Sequence, residues 1–310
     1  LYGGLRASIL TDNLQFFIVI ILLFVSAYFL FNTNFNYISY EQIENKSGHL
    51  LSAGYITNYT AGLTFFIAVA STNLFHQGNW QRVFAAKNDK VLKKSLLFSF
   101  IIIIPIVFFM GIAGIFAVSI DRDVNPDLAF FSILLKDKSE FILVVIIFLA
   151  ISLTVSTIDT LVNAISSIFI VDGRKIYSNS KKKGYFFISK VFLFILSIIS
   201  LIIASKGFSI LYLFLLADLL CCAAVFTVFY GFYWKKFKER DAMISILFGL
   251  FLGLLIFPSP DFSKSILIGT LLPFDLFPKI ISSSLLFWSF LIATAGPAIV
   301  IMIYDSFKRR

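Results

Sequence analysis

AISLTVSTIDTLVNAISS, residues Ala150–Ser167, carries nine polar side chains between the apolar runs VVIIFL and IFIV. They are Ser152, Thr154, Ser156, Thr157, Asp159, Thr160, Asn163, Ser166 and Ser167. At helical spacing Ser152, Ser156, Asp159/Thr160, Asn163 and Ser167 share one face. A row of hydroxyl, amide and carboxyl oxygens suits a hard cation such as Na⁺. The competing reading is that Ser and Thr bond their own helix carbonyls and let helices pack closely. Nine such residues, one of them a carboxylate, point to an ion or solute path rather than to packing alone.

The flanks of this stretch are membrane-like, and so is the rest of the chain. Of 310 residues, 59% are hydrophobic and 14% charged, with 39 Phe; mean hydropathy is +0.94. Soluble domains hold about 25% charged residues, too many more for this chain to be a water-soluble globule. That excludes a soluble enzyme, a disordered chain and a disulfide scaffold. Cys221 and Cys222 are adjacent in an apolar run and read as small buried hydrophobes. A net charge of +9 would suggest nucleic acid in a soluble protein, but these charges cluster between apolar runs, so no nucleic-acid partner is expected. A spanning helix needs roughly 20 apolar residues. Eight spans are expected, near 8–32, 55–80, 92–120, 141–172, 184–205, 208–234, 241–257 and 284–306, all helical because no two-residue alternation of the barrel kind occurs.

Lys and Arg fall unevenly on the two sides. One alternating set of connections holds 18 of the 26, including Arg82, Lys87, Lys90, Lys93 and Lys94, and the other holds 7. Basic loops stay in the cytoplasm, so both termini are expected there, in agreement with an even span count. The Phe-, Ile-, Lys- and Asn-rich composition suits a microbe, which makes the expected location the cytoplasmic (inner) membrane. The chain opens on Leu1 with no signal-peptide architecture and enters its first span almost at once. It reads as a piece of a longer protein.

Other polar groups enter the apolar runs. Asp12 lies just inside the first span and is read as a solvated or helix-capping acid or as a functional one; Asp218, near the middle of the sixth, is read as a structural bond or as a coupling residue. Lys190 is read as snorkelling from its span. The stretch ASTNLFHQGNWQRVFAAKN (Ala70–Asn88) follows FFIAVA without a regular stripe, and a glycine among amides suggests an interrupted helix whose freed backbone groups bind ion and solute. Gly249 and Gly253 form a GxxxG packing motif. No phosphate-binding glycine loop, Cys/His metal spacing, GxSxG or HExxH occurs, so neither an enzyme nor an ATP-driven pump is expected.

At these residues the chain resembles the sodium:solute symporter family. YGGLRASILTDNLQ (Tyr2–Gln15) is similar to the fifth core helix, QRVFAAK (Gln81–Lys87) to the cytoplasmic element after the sixth, VSTIDTLVNAISSIFIVD (Val155–Asp172) to the eighth, and YGFYWKK (Tyr230–Lys236) to the end of the tenth. The resemblance implies a five-plus-five inverted repeat of the LeuT type. This chain would be a single transmembrane domain over 1–310 holding part of that fold: 8–32 the last helix of the first repeat, 55–234 the second repeat, 241–306 two extra helices. It implies Na⁺ as coupling ion and no cofactor. Ser156 and Thr157 match the sodium-binding hydroxyl pair, Leu153 a position giving a backbone carbonyl, and Asp12 the acid of a second cation site. Thr72, Asn73, Gln77, Asp159, Asn163 and Asp218 are the solute-cavity and coupling candidates; no metal other than sodium is implied. Core helices one to four would be missing from this chain, so it is expected to transport only as part of its parent. Asp218 and Cys221–Cys222 stand where many members have proline.

The leading expectation is thus sodium-coupled symport of a small polar organic solute, with the solute, sodium, the lipid bilayer and the missing helices as partners. Two alternatives stand beside it: a symporter-like sensor module joined to a signalling domain, and a proton-coupled transporter using Asp12, Asp159 or Asp218.

Overall fold

The computed structural model describes residues 4–34, 40–135, 139–176, 182–234, 237–265, 267 and 278–308. Tyr2 and Gly3 of the first quoted motif, and Lys235 and Lys236 of the last, lie outside these. The described residues form helices α1 (Gly4–Phe29), α2 (Tyr40–Leu51), α3 (Ile56–Phe75), α4 (Gln77–Ala85), α5 (Asp89–Ile120), α6 (Ala129–Leu134), α7 (Glu140–Ser167), α8 (Gly173–Ile176), α9 (Lys182–Ala204), α10 (Ile210–Tyr233), α11 (Glu239–Ile256), α12 (Lys279–Ser282) and α13 (Leu285–Lys308). Apolar surroundings leave backbone N–H and C=O groups no solvent partner, and a helix satisfies them within one segment.

Among the described residues six stretches are long and apolar enough to cross a membrane: Arg6–Asn32, Asp89–Ile120, Glu140–Asp172, Phe187–Ala204, Ile210–Tyr233 and Leu285–Ile303. Their exposed surface is that of lipid-facing helices, with Phe98, Phe108 and Phe194 exposed by 63%, 69% and 67%. The chain is a multi-pass membrane protein. The other two expected spans are helical too, but their composition is weaker. α3 begins with Thr57, Asn58 and Thr60 and ends with Ser71, Thr72 and Asn73, while α11 opens on Glu239, Arg240 and Asp241. The expected interruption falls at His76, whose extended backbone (φ −73°, ψ 102°) closes α3 before α4 begins.

The chain divides into two compact units, 1–51 with 77–206, and 52–76 with 207–310. In the first, the residue following α1, the C-terminal part of α5, α6 and the first turn of α7 bury Leu30, Ala113, Phe116, Ile133, Leu134 and Ile142 together. Asn88 caps α5, its side chain accepting from the Val91 N–H at 2.9 Å. At the other end of α5, Lys46 Nζ on α2 donates to the Ile120 carbonyl at 2.9 Å, and Arg122 returns a bond to the Asn45 carbonyl at 2.8 Å.

In the second unit α3 packs on α10 through Ala68, Leu219 and Cys222, all fully buried. α11 and α13 meet through small residues. A Cβ at Gly249 would lie 2.6 Å from Pro297 Cδ, and one at Gly253 would lie 2.8 Å from Ala293 Cβ. Ser289 Oγ crosses the same seam to the Gly253 carbonyl at 2.8 Å. Membrane helices lack a hydrophobic drive toward each other, so close backbone approach supplies the contact, and the GxxxG spacing provides it here.

Candidate ion and solute site

α1 packs along α7, and Ser156 and Asp159 of the Ala150–Ser167 stretch meet it there. Asp12 is the centre. Ser156 Oγ donates to its Oδ1 at 3.1 Å, while the Arg82 guanidinium, from α4, donates to its Oδ2. The same Arg82 Nη2 reaches Thr160 Oγ1 at 2.9 Å, and Nη1 reaches the Gly78 carbonyl of its own helix at 3.1 Å. The Asp12 side chain is 21% exposed and that of Arg82 36%, so the pair is half-buried rather than lying on the surface. One turn further along α7, Asp159 accepts from Thr11 Oγ1 at 3.5 Å and from Asn163 Nδ2 at 3.3 Å. Gln81, beside Arg82 on α4, donates to Ser167 Oγ.

The geometry therefore brings Asp12, Ser156, Asp159 and Asn163 onto one polar strip. It leaves Thr157 and Leu153 off that strip. Both are exposed, and the Thr157 hydroxyl donates to the Leu153 carbonyl at 2.9 Å, the local back-bond open to any helical threonine. The cause is the helix period: neighbours in sequence sit about 100° apart around the axis, so Ser156 and Thr157 face different ways.

The second unit carries its own polar pair. Thr72 Oγ1 donates to Asp218 Oδ1 at 2.5 Å. Asp218 is 2% exposed, and its Oδ2 is buried with no hydrogen-bond partner. Asn73 spends its amide on the Val69 carbonyl at 2.8 Å, while its own carbonyl accepts the His76 N–H that ends the helix. Gln77 is half-buried at the start of α4, in the first unit.

Two features escape the sequence. Arg82 is counted there among the loop bases, and only its place one turn into α4, after a helix break, hints at an inward role. A cleft of about 200 Å³ in the second unit is lined by the hydroxyl residues Thr57, Thr60, Thr64 and Ser282–Ser284, with Ser284 Oγ bonded to Thr60 Oγ1 at 3.3 Å. The i, i+3, i+7 spacing of the threonines was its one signal.

Among the described residues no cluster of His, Cys, Asp or Glu could hold a metal ion. What the chain offers is oxygen: carboxylate, hydroxyl and carbonyl groups on membrane helices, a donor set that suits a membrane transporter. That class is matched by the comparisons with known proteins. The sequence profile of the sodium:solute symporter family matches residues 1–249. The chain belongs to the sodium:solute symporter family. Among curated proteins, Spermidine transporter DUR31 of Candida albicans is 28% identical over 262 residues, covering 81% of this chain and 48% of the relative. The chain thus spans about half the length of the curated relative it matches. No solved structure matches it. Family and relative alike mark a transporter rather than an enzyme.

Proposed function

We propose that the chain is part of a sodium-coupled symporter for a small polar organic solute, built on the LeuT-type five-plus-five repeat. It crosses the cytoplasmic membrane eight times, α3 and α11 included, with both termini in the cytoplasm. Ser156, Thr157 and the Leu153 carbonyl hold the main sodium ion; Asp12 serves a second cation. Thr72, Asn73, Gln77, Asp159, Asn163 and Asp218 serve the solute and its coupling. The observation that carries this reading is the Asp12–Ser156 contact, which sets a carboxylate against a hydroxyl inside the membrane, 144 residues apart in sequence. The relative's name makes an organic amine the first solute to test.

Each sodium ion moving inward contributes about 2.3 kcal/mol per 100 mV of membrane potential. Sodium binding that favours the outward-open state raises solute affinity, and solute raises sodium affinity by the same factor. Uptake by the intact transporter carrying Ser156→Ala or Thr157→Ala tests the assignment. The expected result is a higher sodium concentration for half-maximal uptake; an unchanged sodium dependence removes both residues from the site.

A proton-coupled reading draws on a separate observation, the buried Asp218 Oδ2 without a partner. Uptake driven by a pH gradient in sodium-free medium, and abolished by Asp218→Asn, would support it over sodium.

A further inference from the structure

A cation already sits on Asp12. The Arg82 guanidinium bonds its Oδ2, and the same nitrogen bonds Thr160. The pair joins residues 70 positions apart and ties α4 to both α1 and α7. It differs in kind from the other described ion pair, Asp172–Lys175. That pair is an i, i+3 contact at 3.4 Å with side chains 50% and 75% exposed, where water screens most of the attraction. Arg82 also spends its second nitrogen on the Gly78 carbonyl, so its fork is held in one orientation rather than left to swing.

We propose that Arg82 is a tethered cation that competes with sodium for Asp12, so that sodium binding releases α4 from α1 and α7. The inference rests on the sodium reading above and adds a regulatory residue to it. One carboxylate in a half-buried, oxygen-lined strip neutralises one positive charge. A sodium ion at the second site, on Asp12, would meet the guanidinium as a like charge at close range, and repulsion there is only weakly screened. Sodium and Arg82 therefore exclude each other. The lost contact is made by a nine-residue helix that starts directly after the break at His76. α4 is also bonded to α7 through Gln81 and Ser167, so the ion would loosen one of its ties rather than all of them. By linkage, whatever holds α4 in place weakens sodium binding, and sodium loosens α4 to the same degree. Arg82 acts through Asp12 rather than on the solute, so it is a positioning residue.

The sign of the effect separates this from a purely structural clasp. In the purified intact transporter, Arg82→Gln removes the charge and keeps a polar side chain. The sodium concentration for half-maximal ²²Na⁺ binding should fall about tenfold, within the usual range of coupling between sites. Maximal uptake should drop, because α4 is no longer latched in the sodium-free state. A clasp that only stabilises the fold predicts weaker sodium binding or none. A half-saturation equal to or above that of the wild type, in monodisperse protein, overturns the proposal. A second measurement needs no variant: sodium, against choline at equal ionic strength, should speed amide hydrogen exchange across Gln77–Ala85 in the unmodified transporter. Unchanged or slower exchange there counts against it equally. Failure of the sodium reading itself looks different, since the wild type would then bind no ²²Na⁺ at all.

Discussion

Replacing Gly249 by alanine sets two effects of known size against each other. Alanine is the better helix former by about 1 kcal/mol, which alone would stabilise α11. The added methyl, however, would lie 2.6 and 2.7 Å from Pro297 Cδ and Cγ and 2.8 Å from the Ala293 carbonyl. Ordinary carbon contacts begin near 3.5 Å, so the two helices must separate by most of an ångström. Neither obstacle can turn aside, one being a closed ring inside a helix and the other backbone. Overpacking of this kind costs about 1–3 kcal/mol, and the rigid neighbours place it at the upper end. The net expectation is a loss of about 2 kcal/mol after the helix gain of about 1 kcal/mol is subtracted. Gly111 in α5 is the control, because a Cβ there meets nothing within 4 Å; Gly111→Ala should be neutral or slightly stabilising. Cys222 is fully buried, which makes a thiol-reactive fluorophore a direct reporter of unfolding in detergent. Gly249→Ala should unfold several degrees below the wild type, at about 2–4 °C per kcal/mol. A variant melting at or above the wild-type temperature would refute the argument and mean that the seam is not tightly closed.

Thr72→Val keeps the shape and removes the donor to Asp218, leaving a buried carboxyl with neither oxygen bonded. The loss should be about 1–2 kcal/mol, between the soluble-protein value for such bonds and the smaller membrane average. The double variant Thr72→Val with Asp218→Leu should regain most of it in the same thiol assay, since two apolar groups leave nothing unpaired. In the turn after α11, hydroxyl bonds from Ser259 first and Ser263 second hold the Asp261 carboxyl down at about 2. Its ordinary unfolded value is about 3.9. The folded form thus favours the carboxylate, so its contribution is complete above about pH 4 and disappears as pH falls through about 2. Asp261→Asn should melt below the wild type at pH 7 and match it near pH 2, followed by near-ultraviolet circular dichroism.

Much of the architecture was legible because membrane helices announce themselves by length and apolarity. The six spans found among the described residues coincide with expected ones, and Ser156 and Asp159 of the Ala150–Ser167 stretch reach side chains of α1. What failed to show was direction around and between helices. Ser156 and Thr157 are one residue apart and read alike, yet only Ser156 reaches Asp12, 144 positions away. Arg82 was hidden for a different reason. A count of loop bases sorts charges by segment, and it cannot see that one of them folds back to a carboxylate 70 residues earlier. Within the 55–80 stretch the helix breaks at His76 and resumes at Gln77, and no hydropathy window marks the residue where that happens.

The junction of α2 with the end of α5 has a consequence of its own. Each partner there lends a base to the other's backbone: Lys46 to the carbonyl of Ile120, Arg122 to that of Asn45. Peptide oxygens neither gain protons nor depend on which side chain they belong to. Acidification, which dissolves the serine cage around Asp261, therefore does not act on the acceptors of these two bonds. Substitution of Ile120 or Asn45 would likewise leave both bonds standing, whereas loss of either base removes one of them.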